Sequence, residues 1–364
     1  MKRLAIGFTM LLSAAGFLFA QNELQPLAVV KLHKSETITL KQLKARAGVA
    51  EKQYEAYGMK MTDAQKVELR KATLDGMIAN KLIAQQAAKE GLAITDSQVN
   101  AAFVSSFSQG GQQITEAQLE QAVKKSTGKS LNDYILETTG MSVADYKAYI
   151  KESITVQQYI VSKKQDEAKK ISATDKEVNE FYDINKTKFV WDDMAKLFLY
   201  VIPKGKDAEG TKAKANAALK QVSAKQASRT DIMKSSDNGK VYQAGEIMVH
   251  NNAQTAQAQG WTMDKMKELF GRNVGFTSEL IDGGNNWQFY SVLNKYSAKM
   301  LKLSDPVEPE SKHTVKEYIK GTLTTQKQGQ FLQKAANDIA KNLDNASNVD
   351  RKKTGDALTK LLSW

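Results

Sequence analysis

The chain has 364 residues, 41% of them hydrophobic and 25% charged, which is the composition of a folded protein of two or three domains. There is no cysteine, so disulfides, thiol nucleophiles and thiolate metal sites are excluded, and His33, His250 and His313 lack the spacing of a metal or triad enzyme. The formal charge of +12 is spread along the chain, with no basic block longer than Arg351–Lys353. Without a nucleic-acid-binding motif beside it, that excess reads as a solvated surface.

Lys2 and Arg3 precede a short apolar run, Leu4–Phe19, that ends in Ala20. This is the pattern of a secretory signal peptide cut after Ala20, although Leu18 is bulkier than the usual residue at that distance from the cut. The run is shorter than a membrane-spanning helix needs. Loss of Lys2 and Arg3 leaves 50 basic residues against the same 40 acidic ones, a mature charge of +10. The expectation is an exported, periplasmic protein that is not a lipoprotein, since no cysteine is present to carry the lipid.

Leu27–Leu32 and Glu36–Leu40 alternate apolar and polar residues around a polar break, which predicts a hairpin. A helix-rich block follows. Thr62–Gln65, Thr95–Gln98, Thr115–Gln118 and Thr174–Glu177 each fit a capping box, in which two side chains satisfy free backbone donors at a helix start. The longest helix is expected over Ala64–Glu90, with Leu74, Met77, Ile78 and Leu82 in its apolar stripe and Gly91 ending it. Further helices are predicted over Asn132–Glu137, Val143–Ser162 and Lys176–Asn185, carrying Tyr146, Tyr149 and Tyr159 at helical spacing. Core packing explains such residues most often, and a peptide-binding face is the rarer alternative.

The pattern changes at Trp191. A buried strand, Lys196–Ile202, leads into a helix over Thr211–Lys225 and an irregular stretch, Ser235–Gly245. A helix over Met263–Phe270 and two strand-like runs, Phe276–Leu280 and Trp287–Lys295, complete a small α+β region. Ser304–Glu310 holds two of the four prolines and reads as a linker, His313–Asn342 as a helix, Asn345–Asp356 as a polar tail and Ala357–Trp364 as an amphipathic end packed on the body. The glycine pairs Gly110–Gly111 and Gly283–Gly284 are turn signals; no phosphate-cradling loop, nucleophile elbow or zinc-protease motif occurs.

Three stretches carry a resemblance: Ala28–Leu43, Leu74–Val99 (LDGMIANKLIAQQAAKEGLAITDSQV) and Ile171–Phe189 (ISATDKEVNEFYDINKTKF). Hairpin, long helix, capped helix and tyrosine-bearing helix appear in the order seen in the amino-terminal region of SurA/PrsA-class exported chaperones, which this part of the chain resembles. Residues 191–298 resemble a parvulin-type prolyl isomerase domain in order of elements, with Phe198–Ile202, Ala244–Ile247 and Asn286–Val292 at the family's first strand, glycine-rich turn and last strand. On that alignment the two family histidines fall on Leu199 and Gln288, and the acidic or cysteine position falls near Asp237. Leucine can line a proline pocket but cannot hydrogen-bond, and glutamine cannot change protonation state.

The resemblance implies an α+β, predominantly helical protein: signal peptide 1–20, helical chaperone module 21–190, parvulin-like domain 191–298 and a linker with returning C-terminal helices over 299–364. It implies a chaperone for unfolded polypeptides, outer-membrane proteins among them, with an inactive isomerase domain, no cofactor, no metal and no nucleic acid. Leu74, Met77, Ile78, Tyr146, Tyr149 and Tyr159 are the client-binding candidates. Two alternatives stay open at this point: an active prolyl isomerase, and a basic envelope protein adhering peripherally to membrane or host matrix.

Overall fold

The computed structural model describes residues 23–107, 114–236 and 241–364. The predicted signal peptide, Gly110–Gly111 and Asp237 lie outside the described residues. The chain divides into two compact units: one runs to Ile171 and resumes at Gln326, and the other is Ser172–Thr325. A small α+β unit is thus inserted into a mostly helical one.

The helical unit opens with the expected hairpin. Strands β1 (Pro26–Val30) and β2 (Glu36–Thr39) pair antiparallel, Val30 opposite Glu36 and Ala28 opposite Ile38. Helices α1 (Leu40–Ala56) and α2 (Asp63–Lys89) follow, then α3 (Asp96–Ser105), α4 (Glu116–Thr127), α5 (Leu131–Thr139) and α6 (Val143–Lys169). The four predicted capping boxes are all formed, and Thr39 with Gln42 makes another at the start of α1. At Thr62 the Gln65 amide nitrogen donates to Oγ1 at 3.3 Å and the Thr62 amide donates back to Gln65 Oε1 at 2.8 Å. Such a cap is worth about 1 kcal/mol.

Leu74, Met77, Ile78 and Leu82 of α2 pack on Ala28, Val30 and Ile38 of the hairpin and on Leu40 and Leu43 of α1. A second core joins α3 to α6, with Phe103, Leu119, Val123 and Ile135 buried and Tyr146 packed against them.

In the inserted unit, α7 (Asp175–Asn185) precedes a short strand, β3 (Val190–Trp191), and the predicted long strand, β4 (Met194–Pro203). Then come α8 (Ala208–Ala224), α9 (Ser228–Lys234), β5 (Gln243–His250), α10 (Ala253–Ala258), α11 (Met263–Gly271), β6 (Ile281–Asp282) and β7 (Asn286–Tyr296). The sheet is antiparallel in the order β5-β4-β7-β6, so β4 and β7 are central. Alternation along β4 splits its side chains between two cores: Phe198, Tyr200 and Ile202 pack with Ala215, Val222 and Phe289, while Ala195, Leu197 and Leu199 pack with Trp261, Met266 and Tyr290.

Two segments differ from the sequence reading. Ala244–Ile247, expected at a glycine-rich turn, lies inside β5, and Phe276–Leu280 is not a strand but meets β7 through one bridge, Thr277 to Ser291. The QAGEIMVH stretch has no local strand signal strong enough to declare itself; it is extended because β4 offers it eight residues of partner edge, from Val201 opposite Gln243 to Met194 opposite His250.

After β8 (Lys299–Met300), which pairs with β3, the proline-bearing segment is held in place: the Trp191 indole donates to the Val307 carbonyl at 3.0 Å, and Glu310 accepts from Lys196 at 2.7 Å and Tyr296 at 2.5 Å. In α12 (Val315–Leu343), Val315 and Ile319 pack in the inserted unit with Val178 and Leu301, and Ala340 packs in the helical unit with Ile83, Ala87 and Tyr159. The tail expected to be merely polar contains β9 (Val349–Arg351), which completes the order β2-β1-β9 with Val349 opposite Val30. The amphipathic end, α13 (Gly355–Leu361), folds onto the body as expected, with Leu362 fully buried in the hairpin core. Among the described residues no helix is long and apolar enough to cross a membrane.

Candidate functional site

Between the hairpin, α1, α2 and α6 the helical unit carries an open groove of 660 Å³. Its apolar lining includes Met77, Ala84, Ala88, Leu92, Ile94 and Ala148. Gly140 lets α5 end against α1: it has a positive φ of 71°, and a Cβ there would meet Ala45 at 3.3 Å.

A chain of alternating charges crosses one wall. Lys34 pairs with Glu36 at 2.8 Å, Lys81 bridges Glu36 at 2.6 Å and Glu152 at 3.1 Å, and Arg46 pairs with Glu152 at 3.1 Å. Burial works to lower the Lys81 pKa, but Glu152 and Glu36 outweigh it and the net shift is upward. Glu36 is pushed up by burial and pulled further down by Lys34 and Lys81, ending below the ordinary carboxylate value. Both groups are therefore held charged. The network ties the hairpin, α1 and α6 to the face of α2 that lines the groove.

Of the client-binding candidates, Met77 and Tyr149 line the groove, and Arg46 lies over the Tyr149 ring at 4.5 Å from its centroid. Leu74, Met77 and Ile78 are all buried in the core, at 4%, 5% and 1% exposure, because they are the positions of α2 that meet the hairpin, so Met77 reaches the groove with little of its surface. Tyr146 packs edge-on against Phe103 at 6.1 Å, half-buried in the second core. Tyr159 is buried and donates its hydroxyl to Glu90 at 2.7 Å. The sequence reading missed Arg46, Lys81 and Glu152. The signal available was Lys81 itself, a charge set inside the apolar stripe beside Ile78 and Leu82.

In the inserted unit Leu199 and Gln288 lie on one face of the sheet. Leu199 on β4 faces Tyr290 on β7, and Gln288 stands two residues from Tyr290 on the same face, opposite Val201. Such diagonal neighbours lie about 7–8 Å apart. Gln288 is 5% exposed and Leu199 packs in a core of Trp261, Met266 and Tyr290, so the face is an apolar wall with one amide in it. No group of three or more potential metal-ligating side chains occurs among the described residues.

Residues 4–160 match the family model of the SurA-like N-terminal domain. The chain is also similar to a solved structure from Campylobacter jejuni, described with PEB4 and Cj1289 as SurA-like chaperones, at 12% identity over 90% of this chain and 99% of that one, TM-score 0.35. PrsA from Bacillus subtilis is similar at 14% identity over 93% and 98% of the two chains, TM-score 0.31. The foldase protein PrsA from Streptococcus pneumoniae is similar at 16% over 90% and 96%, TM-score 0.29. No curated protein matches the sequence.

Proposed function

We propose that the protein is an exported periplasmic chaperone that binds non-native polypeptides, outer-membrane β-barrel proteins among them, and that its α+β unit no longer catalyses prolyl isomerisation. The observation that carries the reading is the open 660 Å³ groove within the stretch that matches the SurA-like model, lined in part by apolar side chains. Of the predicted side chains, Tyr149 is the one a client would touch there, since Met77 lines the groove but is almost wholly buried. Alanines among the lining favour weak, exchangeable contacts over one tight fit.

The second part of the reading rests on Leu199 and Gln288. A prolyl isomerase lowers the barrier to rotation by arranging polar groups around the imide carbonyl, and this face offers one amide amid leucine, methionine and aromatic rings. The test runs two assays on the mature chain side by side. Suppression of aggregation of an unfolded β-barrel protein, with no acceleration of a proline-limited peptide, is the expected result. Failure to suppress aggregation removes the chaperone reading, and rapid isomerase turnover removes the claim of an inactive α+β unit.

A further inference from the structure

Every carboxylate that lines the groove is already engaged. Glu36 is held by Lys34 and Lys81, Glu152 by Lys81 and Arg46, and Asp145 accepts from the hydroxyl and caps with Ser142 at the start of α6. The cations are not spent in the same way. Arg46 has 18% of its side chain exposed and donates one hydrogen bond, from Nη2 to Glu152, while Tyr149 supports the flat face of the guanidinium. Its other donors point to a guanidinium fixed in place with capacity left over, which is the form of a preorganised carboxylate receptor. Lys41, five residues earlier on α1, also lines the groove, and it is an exposed residue with no carboxylate partner among the described residues.

The lining holds five lysine or arginine side chains against three carboxylates; Lys34, Lys81 and Arg46 are paired within it and Lys151 with Asp96 outside it at 3.1 Å, which leaves Lys41 as the cation without a carboxylate partner among the described residues. An excess of donors over acceptors in a concave, partly dry site favours a ligand that brings acceptors with it. We propose that the groove selects extended polypeptide segments in which an aspartate or glutamate follows or precedes apolar residues, with the acid received by Arg46 and Lys41 and the apolar side chains laid on Met77, Ala84 and Ala88. The inference rests on the client-binding reading of the groove and adds to it the chemistry of the client. A lysine-rich segment of the same shape would meet Lys34, Lys41 and Arg46 with like charge and is selected against.

The experiment measures binding of the mature chain to three labelled peptides of one apolar framework that carry Glu, Gln or Lys at the same two positions. At low salt the Glu peptide is expected to bind about tenfold tighter than the Gln peptide, as one charge-assisted contact warrants, and the Lys peptide weakest. High salt should narrow the gap. The variants Lys41→Glu, on an exposed residue, and Arg46→Gln should each bring the Glu-to-Gln affinity ratio down to roughly one to three. Equal affinity for all three peptides overturns the acidic preference while the client reading stands. Absence of binding to any of them, with aggregation unsuppressed, overturns the client reading itself. A tenfold preference untouched by either variant assigns the charge effect to another surface and overturns the proposal. So does capture by phosphatidylglycerol vesicles that Lys41→Glu abolishes, in the absence of any peptide preference.

Discussion

The guanidinium of Arg70 lies 4.2 Å from the centroid of the Trp364 ring and donates hydrogen bonds to the carbonyls of Leu362 at 2.8 Å and Trp364 at 2.5 Å. The same side chain forms a two-pronged pair with Glu51, at 2.7 and 3.1 Å, and is itself only 3% exposed. One buried cation thus fixes the end of α1 and the segment after α13 to the middle of α2. Arg70→Ala would leave the Glu51 carboxylate and two carbonyls without their donor. We expect it to destabilise the helical unit by about 3–5 kcal/mol, as breakage of a buried pair does. Urea denaturation followed by Trp364 fluorescence measures this. Arg70→Lys should recover little, because an ammonium cannot bond Glu51 with two prongs and reach the carbonyls as well.

Leu362 has no exposed surface and closes the hairpin core from the C-terminal side. Leu362→Ala is expected to cost about 2–5 kcal/mol, the range for opening a cavity in a packed core. Hydrogen exchange should then show faster opening at Val349 and Val30, which face each other on β9 and β1. Unchanged protection at those amides would count against the packing described.

Glu90 receives Lys163 at 2.6 Å, the Tyr159 hydroxyl at 2.7 Å and the Gln86 amide at 2.6 Å, and these bonds hold its pKa down at about 2. The usual carboxylate value is 4.5. A depressed folded-state pKa gives stability that is present above the unfolded value and disappears as pH falls through the folded one. Glu90→Gln should therefore lower the urea midpoint at neutral pH, and the difference from the parent should shrink between about pH 5 and pH 2. At the alkaline end, burial and the bond to Glu90 push the Tyr159 hydroxyl up to about 12. That contribution is complete below the ordinary tyrosine value of 10.0 and is lost as pH rises toward 12. A titration of Tyr159 absorbance in Glu90→Gln should show its midpoint moved down.

Thr62, Thr95, Thr115 and Thr174 repeat one device at four helix starts. Thr62→Ala is expected to cost about 1 kcal/mol and Thr62→Asn much less, since asparagine also accepts from the helix amides. Equal losses for the two substitutions would mean that something other than the cap is being removed.

Lys81 holds two carboxylates at once, so Lys81→Met should be the most damaging single change in the groove. Glu36 and Glu152 would be left beside Lys34 and Arg46 only, and a loss of about 2–4 kcal/mol is expected. Lys81→Arg, which keeps the charge, should lose less. Thermal unfolding with added salt separates the two effects, because screening weakens ion pairs near the surface more than it weakens packing.

The parts of the fold that were legible in the sequence are those written in neighbouring residues. The hairpin, the apolar stripe of α2 and the capping boxes all depend on spacings of two, three or four residues, where side chain and backbone meet whatever the rest of the chain does. β4 was legible for the same reason: MAKLFLYVIP is apolar on both faces and packs into a core on each side. Its alignment against β7 also brings Leu199 and Gln288 onto one face.

What the tertiary structure alone decided depends on partners far along the chain. QAGEIMVH became β5 because β4 supplied an edge, and the polar VDR segment became β9 because β1 supplied another. Leu74, Met77 and Ile78 all went into the core, with only Met77 also reaching the groove, by the angle at which α2 meets the hairpin, which no periodicity states. Arg46 and Glu152, 106 residues apart, become a pair on the groove wall only through the packing of α6 in the helical unit. A local pattern fixes which element a residue enters, since its energy is settled within a turn or two. Which charge is spent and which is left to meet a ligand is settled by contacts across the fold, and those exist only once the chain has closed.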